Sequence, residues 1–155
     1  TDESPEWLSW QHGLKYLEVN ENYFPDLMLS IPTTSPLRHS DDIKSVIDEY
    51  QNNDADIVLT VSESSRNPFF NIVRIGDDGY VNLLELNNHI YSSRQNAPKT
   101  YDIGTVAYAA RPSFVLNNKN MFEGKIRKVI LPKERSIDID TLLDFEIAEN
   151  ILKKR

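Results

Sequence analysis

The chain has 155 residues, of which 39% are hydrophobic and 26% charged, an ordinary balance for one soluble globular domain. It contains no cysteine, which excludes disulfides and cysteine-ligated zinc or iron–sulfur sites. The formal net charge is −7 and the basic residues are dispersed, except at 153–155, so broad electrostatic binding to nucleic acid is not expected. No apolar run is long enough to cross a bilayer, and we expect no membrane contact and a cytoplasmic location.

The first third of the chain alternates helix-like and strand-like segments, which is typical of an α/β sheet. A 3,4,3 spacing predicts a first helix, capped within residues 2–4, with the apolar stripe Trp7, Trp10, Leu14 and Leu17. Residues 26–31 and 56–61 are apolar runs typical of buried strands. The helix between them begins at Ser40 or Asp41 and has the inward face Ile43, Val46, Ile47 and Tyr50. Together these segments predict a βαβ unit with a right-handed crossover.

The middle of the chain has a different pattern. Residues 69–75 and 80–84 flank Gly76-Asp77-Asp78-Gly79, which predicts an antiparallel hairpin, and residues 86–100 are polar and predict a loop. Strands are predicted at 105–110 and 126–131, with a short helix starting at Arg111-Pro112. A last helix is predicted over about 141–152, with Leu142, Phe145, Ala148 and Leu152 on one face.

The turn Pro32-Thr33-Thr34-Ser35-Pro36-Leu37-Arg38 follows a predicted strand and precedes a helix. Open α/β sheets bind ligands beyond the carboxyl ends of their strands, so this is an expected place for a site. Its hydroxyls and Arg38 can hydrogen-bond sugar or phosphate oxygens. A rigid turn with a surface arginine explains the same residues.

Two carboxylates, Asp138 and Asp140, lie just before the last helix. Alternation along an extended segment puts both on the same side, where they form a hard oxygen site suited to Mg²⁺. The alternative is that Asp140 is only the N-cap of that helix, since Thr141-Leu142-Leu143-Asp144 resembles a capping arrangement.

A third candidate is Arg94-Gln95, in the polar loop, with Pro98 and Tyr101 after it. A guanidinium in this position can grip a carboxylate in bidentate fashion. A simply solvated loop arginine is the alternative.

Taken in order, these segments resemble the acylneuraminate cytidylyltransferase family, the CMP–sialic acid synthetases and their relatives. The resemblance extends over nearly all of the chain from about Leu27 onward. The stretch from Ser136 to Thr141, continuing to Leu152, is the most specific. The other matching motifs are Thr34-Ser35-Pro36-Leu37-Arg38, Arg94-Gln95 with Pro98, Tyr101 and Tyr108, and Met121-Phe122-Glu123-Gly124-Lys125.

The resemblance implies a Rossmann-like nucleotide-diphospho-sugar transferase fold. That fold is a three-layer α/β/α arrangement with a mostly parallel sheet and an antiparallel hairpin insert, here at about residues 66–100. Residues 1–155 would be the C-terminal two-thirds of a single cytidylyltransferase domain, truncated at its N-terminus. The implied reaction transfers CMP from CTP to a nonulosonic (sialic-acid-like) sugar acid, giving CMP-sugar and pyrophosphate.

The resemblance also implies roles for single residues. Asp138 and Asp140 would be catalytic and would hold Mg²⁺, and Tyr108 and Phe122 would shape the sugar pocket. The expected sugar-acid contacts are Thr34, Ser35, Arg38, Arg94 and Gln95. The family is typically a homodimer formed through the hairpin insert, which makes Phe69 and Phe70 candidates for the interface.

The sequence departs from the family pattern at several positions. Pro32 stands where the family has a glutamine, and Asp102 stands where it has an arginine, so we expect a relative of N-acetylneuraminic acid rather than that sugar itself. The family's basic, glycine-containing CTP loop has no counterpart, so this chain alone is expected not to turn over CTP. The alternatives are a sugar nucleotidyltransferase with another nucleotide and sugar, and a non-catalytic dimerisation domain.

Overall fold

The computed structural model describes residues 5–85, 91 and 93–154. The chain divides into two units, residues 1–61 with 103–155 and residues 62–102. The elements in chain order are helix α1 Glu6–Asn20, strand β1 Met28–Ser30, helix α2 Ser40–Gln51, strands β2 Ile57–Glu63, β3 Val73–Ile75, β4 Val81–Leu83 and β5 Tyr101–Ala110, helix α3 Pro112–Asn117, a short 3-10 helix Met121–Glu123, strand β6 Ile126–Ile130, a second 3-10 helix Lys133–Arg135, and helix α4 Leu142–Leu152.

Four strands form the main sheet, in the order β1-β5-β2-β6. Strand β1 pairs antiparallel with β5, and β2 pairs parallel with β6. Two hydrogen bonds show the direction of β5 relative to β2. The Arg111 amide donates to the carbonyl of Asp56, and the Thr60 hydroxyl donates to the carbonyl of Gly104. Residue numbers therefore rise along β2 as they fall along β5, which makes the two strands antiparallel. Strands β1, β2 and β6 therefore share one direction, which confirms a mostly parallel sheet. Strand β5 lies between β1 and β2, so the two strands of the predicted βαβ unit are parallel but not neighbours.

Strand β2 is buried on both faces of the sheet. Ile57 and Leu59 pack in a cluster with side chains of α1 and α3, whereas Val58 packs in a second cluster with Val46 of α2. Fully burying one such aliphatic side chain stabilises the fold by roughly 1.5–3 kcal/mol. Helices on both faces give the predicted three-layer α/β/α arrangement.

Helix α1 covers one face through aromatic side chains. The Trp10 ring lies 5.3 Å from that of Tyr108, and the Trp7 ring meets Phe114 edge-on at 5.8 Å. The Trp7 indole N–H donates to the carbonyl of Asn118 at 2.9 Å, so its one polar atom is satisfied. The predicted stripe is confirmed. The N-cap is Pro5, and the predicted capping residues 2–4 lie outside the described residues.

Within residues 62–102, β3 and β4 form the predicted hairpin, in which Ile75 is opposite Val81. Gly79 has a φ of 79°, a left-handed conformation that glycine adopts without steric cost. Residues 69–72 belong to a turn rather than to the strand, because the amides of residues 70–72 all donate to the carbonyl of Asn67. Part of the predicted loop at 86–100 lies outside the described residues.

The predicted start of one strand was wrong. Strand β5 begins at Tyr101 instead of residue 105. Helix α4 has the predicted bounds, but Ala148 is its buried residue, and Leu142 and Phe145 are 81% and 52% exposed. Among the described residues, no helix is both long and apolar enough to span a membrane.

Candidate functional site

The turn at residues 32–38 is built around a buried hydroxyl. Ser35 is fully buried, and its Oγ lies 2.7 Å from Oγ1 of Thr105 on strand β5. Leu37 is also fully buried, whereas Thr33 and Thr34 are exposed. The turn is therefore fixed to the sheet through Ser35 and Leu37, and it presents the Thr34 hydroxyl to solvent.

Arg38 holds this turn together from within. Its Nε donates to the carbonyl of Ser35 at 2.7 Å, and its Nη2 donates to the carbonyl of Pro32. Burial lowers the pKa of Arg38, and the negative charge of Asp138 partly offsets that effect. Arg38 was expected to contact a sugar acid. The structure shows that two of its nitrogens bind the backbone of its own turn.

The acidic segment before α4 is attached to the same turn. The amide of Ile139 donates to the carbonyl of Thr34 at 2.9 Å. Ile139 lies between Asp138 and Asp140, so both carboxylates leave the chain next to a residue that is bonded to the turn. The two segments that the sequence singled out within this unit are therefore neighbours.

The two carboxylates have different surroundings. Asp138 is partly buried, and its Oδ1 is a buried oxygen without a hydrogen-bond partner among the described residues. Asp140 is exposed. An unpaired buried oxygen is costly and fits an atom that awaits a cation or a donor from a ligand.

The N-terminus of α4 does not use Asp140 as its cap. Thr141 is the N-cap, its hydroxyl accepts from the Asp144 amide, and the Asp144 carboxylate accepts from the Thr141 amide at 2.8 Å. Hydrogen bonds from the Thr141 side chain, and then from its backbone, lower the pKa of Asp144. The capping arrangement that the sequence suggested is present, and it leaves the carboxylate of Asp140 outside the cap.

Tyr108 lies in the hydrophobic core, 4% exposed, on the strand that pairs with β1. Burial raises its pKa to about 12, and the charges of Glu6 and Asp138 add to the shift. Asp138 is thus close enough to affect both Arg38 and Tyr108 electrostatically. That Tyr108 shapes a sugar pocket stays a prediction.

Phe122 is 68% exposed, in the 3-10 helix that Asn120 caps by accepting from its amide. The nearby Gly124 is required by packing, because a Cβ there would lie 2.4 Å from the ring of Phe114. Part of the Met121–Lys125 motif therefore has a structural explanation. A role for Phe122 toward a sugar stays a prediction.

Arg94 and Gln95 line a cavity of about 500 Å³ within residues 62–102. The Arg94 Nη2 donates to the carbonyl of Ser64, and the Ser64 hydroxyl donates to Oδ1 of Asp102 at 2.6 Å. The other lining residues are Glu63, Asn67, Ala97, Pro98, Lys99 and Thr100. Asp102 therefore orders a polar wall of the cavity through Ser64.

Sequence reasoning missed three polar residues near these sites. Ser64 and Asn67 follow the carboxyl end of β2, a position that could have identified them because α/β sheets bind ligands there. Asp42 is 2% exposed and ion-paired, and nothing in its sequence context marks it as buried.

No group of three or more histidine, cysteine, aspartate or glutamate side chains is arranged to hold a metal within the part of the chain described. A cation at Asp138 and Asp140 would therefore complete its shell from substrate or water. Mg²⁺ commonly binds in this way, through one or two carboxylates together with phosphates.

The chain is similar to several curated proteins. It is 30% identical over 139 residues to post-translational flagellin modification protein B of Campylobacter coli, covering 88% of this chain and 58% of that protein. It is 32% identical over 95 residues to CMP-N,N'-diacetyllegionaminic acid synthase of Campylobacter jejuni, covering 61% and 39%. It is 26% identical over 145 residues to an N-acylneuraminate cytidylyltransferase of Streptococcus agalactiae, covering 94% and 33%. The chain thus spans less than two thirds of each relative.

A search against family models gives no match. Among solved structures, the chain is similar to HddC from Yersinia pseudotuberculosis complexed with GMP-PN, with a TM-score of 0.49 and 16% identity. The match covers 96% of this chain and 64% of that chain. This likeness is too low to bear on function. The curated relatives cover most of this chain, and their names support the CMP–sialic acid synthetase-like family that its motifs resemble.

Proposed function

We propose that the whole protein transfers CMP from CTP to a nonulosonic, sialic-acid-like sugar acid, giving a CMP-sugar and pyrophosphate. Two relatives support this reaction by name, a CMP-N,N'-diacetyllegionaminic acid synthase and an N-acylneuraminate cytidylyltransferase. The observation on which the proposal depends is the 2.9 Å hydrogen bond from Ile139 to Thr34, because it joins the acidic segment to the turn.

Asp138 and Asp140 would hold Mg²⁺ in this proposal. The buried, unpartnered Oδ1 of Asp138 and the exposed carboxylate of Asp140 supply hard oxygen ligands, which suit this ion. Bound there, Mg²⁺ would neutralise charge on the phosphates of the nucleotide.

The residues of the chain have separate tasks in the transfer. The anomeric hydroxyl attacks the α-phosphate in line, a sugar–phosphate bond forms, and the bond to pyrophosphate breaks. A carboxylate of the pair Asp138 and Asp140 accepts the hydroxyl proton. Thr34 offers an exposed hydroxyl beside them, and Arg38 fixes the turn that carries it.

The cavity lined by Arg94 and Gln95 would bind the sugar acid, with the guanidinium on its carboxylate. Asp102 places a negative charge behind Ser64, which disfavours an extra anionic group at that wall. We therefore favour a relative of N-acetylneuraminic acid as the acceptor.

The whole protein would act as a cytoplasmic homodimer. The hairpin supports an interface, because Val73, Ile75 and Val81 expose 51%, 75% and 63% of their surface, and an isolated two-stranded hairpin is marginally stable in water. The partner surface would then be the same hairpin region of a second copy.

Pyrophosphate release from CTP, UTP and GTP tests the reaction, with N,N'-diacetyllegionaminic acid and N-acetylneuraminic acid as acceptors. We expect pyrophosphate release with CTP. The Asp140→Asn variant should release pyrophosphate at least about a hundredfold more slowly, because removing one group that stabilises transition-state charge typically has an effect of this size. Preference for another nucleotide, or an unaffected Asp140→Asn variant, contradicts the proposal. If the variant loses activity, its dimer should remain intact.

A further inference from the structure

A partly buried ion pair lies beside the acidic segment. Asp42, in the first turn of α2, is 2% exposed, and Arg135 ends the short 3-10 helix before the acidic segment. The Arg135 Nη2 lies 3.0 Å from Oδ1 of Asp42, and its Nε lies 3.1 Å from both carboxylate oxygens. The fork of the guanidinium thus grips one carboxylate, a geometry that lysine cannot reproduce.

Asp42 is itself fixed at the N-terminus of α2. Its Oδ2 accepts from the amide of His39 at 2.8 Å, so backbone and guanidinium donors both hold this carboxylate. Both partners are largely withdrawn from water, with 28% of the Arg135 side chain and 3% of the Asp42 side chain exposed. Removing one partner of such a pair leaves an uncompensated charge in the interior, so the pair resists displacement.

Asp138 lies between two attachment points. Arg135, three residues before it, is bound to Asp42, and Ile139, the residue after it, is bound to Thr34. Both anchors belong to the turn and helix that follow β1. Residues 136–138 therefore connect these two attachment points, and the direction of the Asp138 carboxylate depends on both attachments.

We infer that Asp42 and Arg135 are positioning residues for the cation site formed by Asp138 and Asp140. The inference rests on the proposed function, since it assigns a cation to these carboxylates. The ion pair touches neither carboxylate, and it acts by fixing the segment that presents them.

The test is a titration of the protein with Mn²⁺, used as a paramagnetic probe, and followed by NMR line broadening at the amides of residues 138–141. We expect Arg135→Met and Asp42→Asn to weaken Mn²⁺ binding at these amides by about tenfold. Arg135→Lys keeps the charge without the fork, and it should fold and show an intermediate loss. Arg127→Met is the matched control, because Arg127 also pairs with α2, at 2.5 Å from Glu49, away from the acidic segment.

The outcomes separate the two proposals. Folded Arg135→Lys and Asp42→Asn variants with wild-type Mn²⁺ affinity and lower melting temperatures would overturn the positioning role and leave the cation site standing. A wild-type protein whose residues 138–141 do not broaden would refute the cation site and the inference together. An equal loss in Arg127→Met would assign the effect to general loosening and also overturn the inference.

Discussion

Hydroxyl groups in the turn at 32–38 have different roles, although the sequence presents them alike. Ser35 is buried against Thr105, whereas Thr34 is exposed beside the acidic segment. The pattern of residue types predicted hydrogen bonding by both. The structure shows that the Ser35 hydroxyl is hydrogen-bonded inside the protein, so we expect it to contribute to stability. The exposed Thr34 hydroxyl remains available to a ligand.

Replacing Ser35 by alanine should lower the free energy of unfolding by about 1–3 kcal/mol, because the partly buried Thr105 hydroxyl loses its partner. Chemical denaturation of the variant measures this loss. Thr33→Ala is the control, and as an exposed neighbour it should change stability by less than about 0.5 kcal/mol. A cost for Ser35→Ala as small as that of the control would contradict the assignment.

Helix α4 begins at a reciprocal cap formed by Thr141 and Asp144. The lowered pKa of Asp144 means that its carboxylate is stabilised in the folded protein relative to the unfolded chain, where 3.8 is its usual value. That contribution is full above the unfolded pKa and is lost as the pH falls through the lower folded value. The segment that carries Asp138 and Asp140 runs directly into this cap.

Asp144→Asn should therefore destabilise the protein at neutral pH, and its deficit should shrink as the pH falls below 3.8, the usual aspartate pKa. Urea denaturation at neutral and acidic pH measures both values. The control is Glu146→Gln, which removes a charge from the same helix outside the cap. At neutral pH it should lower the free energy of unfolding by less than Asp144→Asn does. A deficit for Asp144→Asn that persists in acid would count against the cap as its source.

Most elements were predictable because local patterns determine them. The stripe through Trp7, Trp10 and Leu14 and the turn at Gly76–Gly79 gave the first helix and the hairpin directly. The start of β5 was missed because Asp102 and Gly104 are typical of loops, and the strand there depends on pairing with distant β2. Periodicity placed Leu142, Phe145, Ala148 and Leu152 on one face of α4, but it does not show whether another surface covers that face, and of these four Ala148 alone is buried.

The candidate site was also predictable where local residue patterns define it, and not where distant contacts do. The turn and the acidic segment were recognisable from residue types, and the structure brings them together through Ile139 and Thr34. The ion pair of Asp42 and Arg135 was not predictable, since 93 residues separate its partners and both are ordinary surface residue types.

The hairpin of β3 and β4 has one apolar face. Val73 and Ile75 are opposite Leu83 and Val81, so these four side chains share a face, and Arg74 and Asn82 occupy the other. An exposed apolar face rimmed by polar residues is typical of a protein–protein interface.

Ile75→Lys should convert the proposed dimer to a monomer, because the lysine ammonium would be desolvated in an apolar contact. Sedimentation equilibrium over a range of protein concentrations measures the change. Asn82→Lys adds the same charge on the opposite face and should leave the dimer intact. Equal weakening by both variants, or a monomeric wild type, would contradict an interface on the apolar face.

The proposed reaction requires one cation site shared by the turn at 32–38 and the acidic segment. NMR spectra with substoichiometric Mn²⁺ test it most directly. We predict that the amides of Thr34, Ser35 and Arg38 broaden together with those of residues 138–141, before those of the acidic turn at Asp77 and Asp78. Broadening of the acidic segment without the turn at 32–38, or of the hairpin turn first, would contradict it.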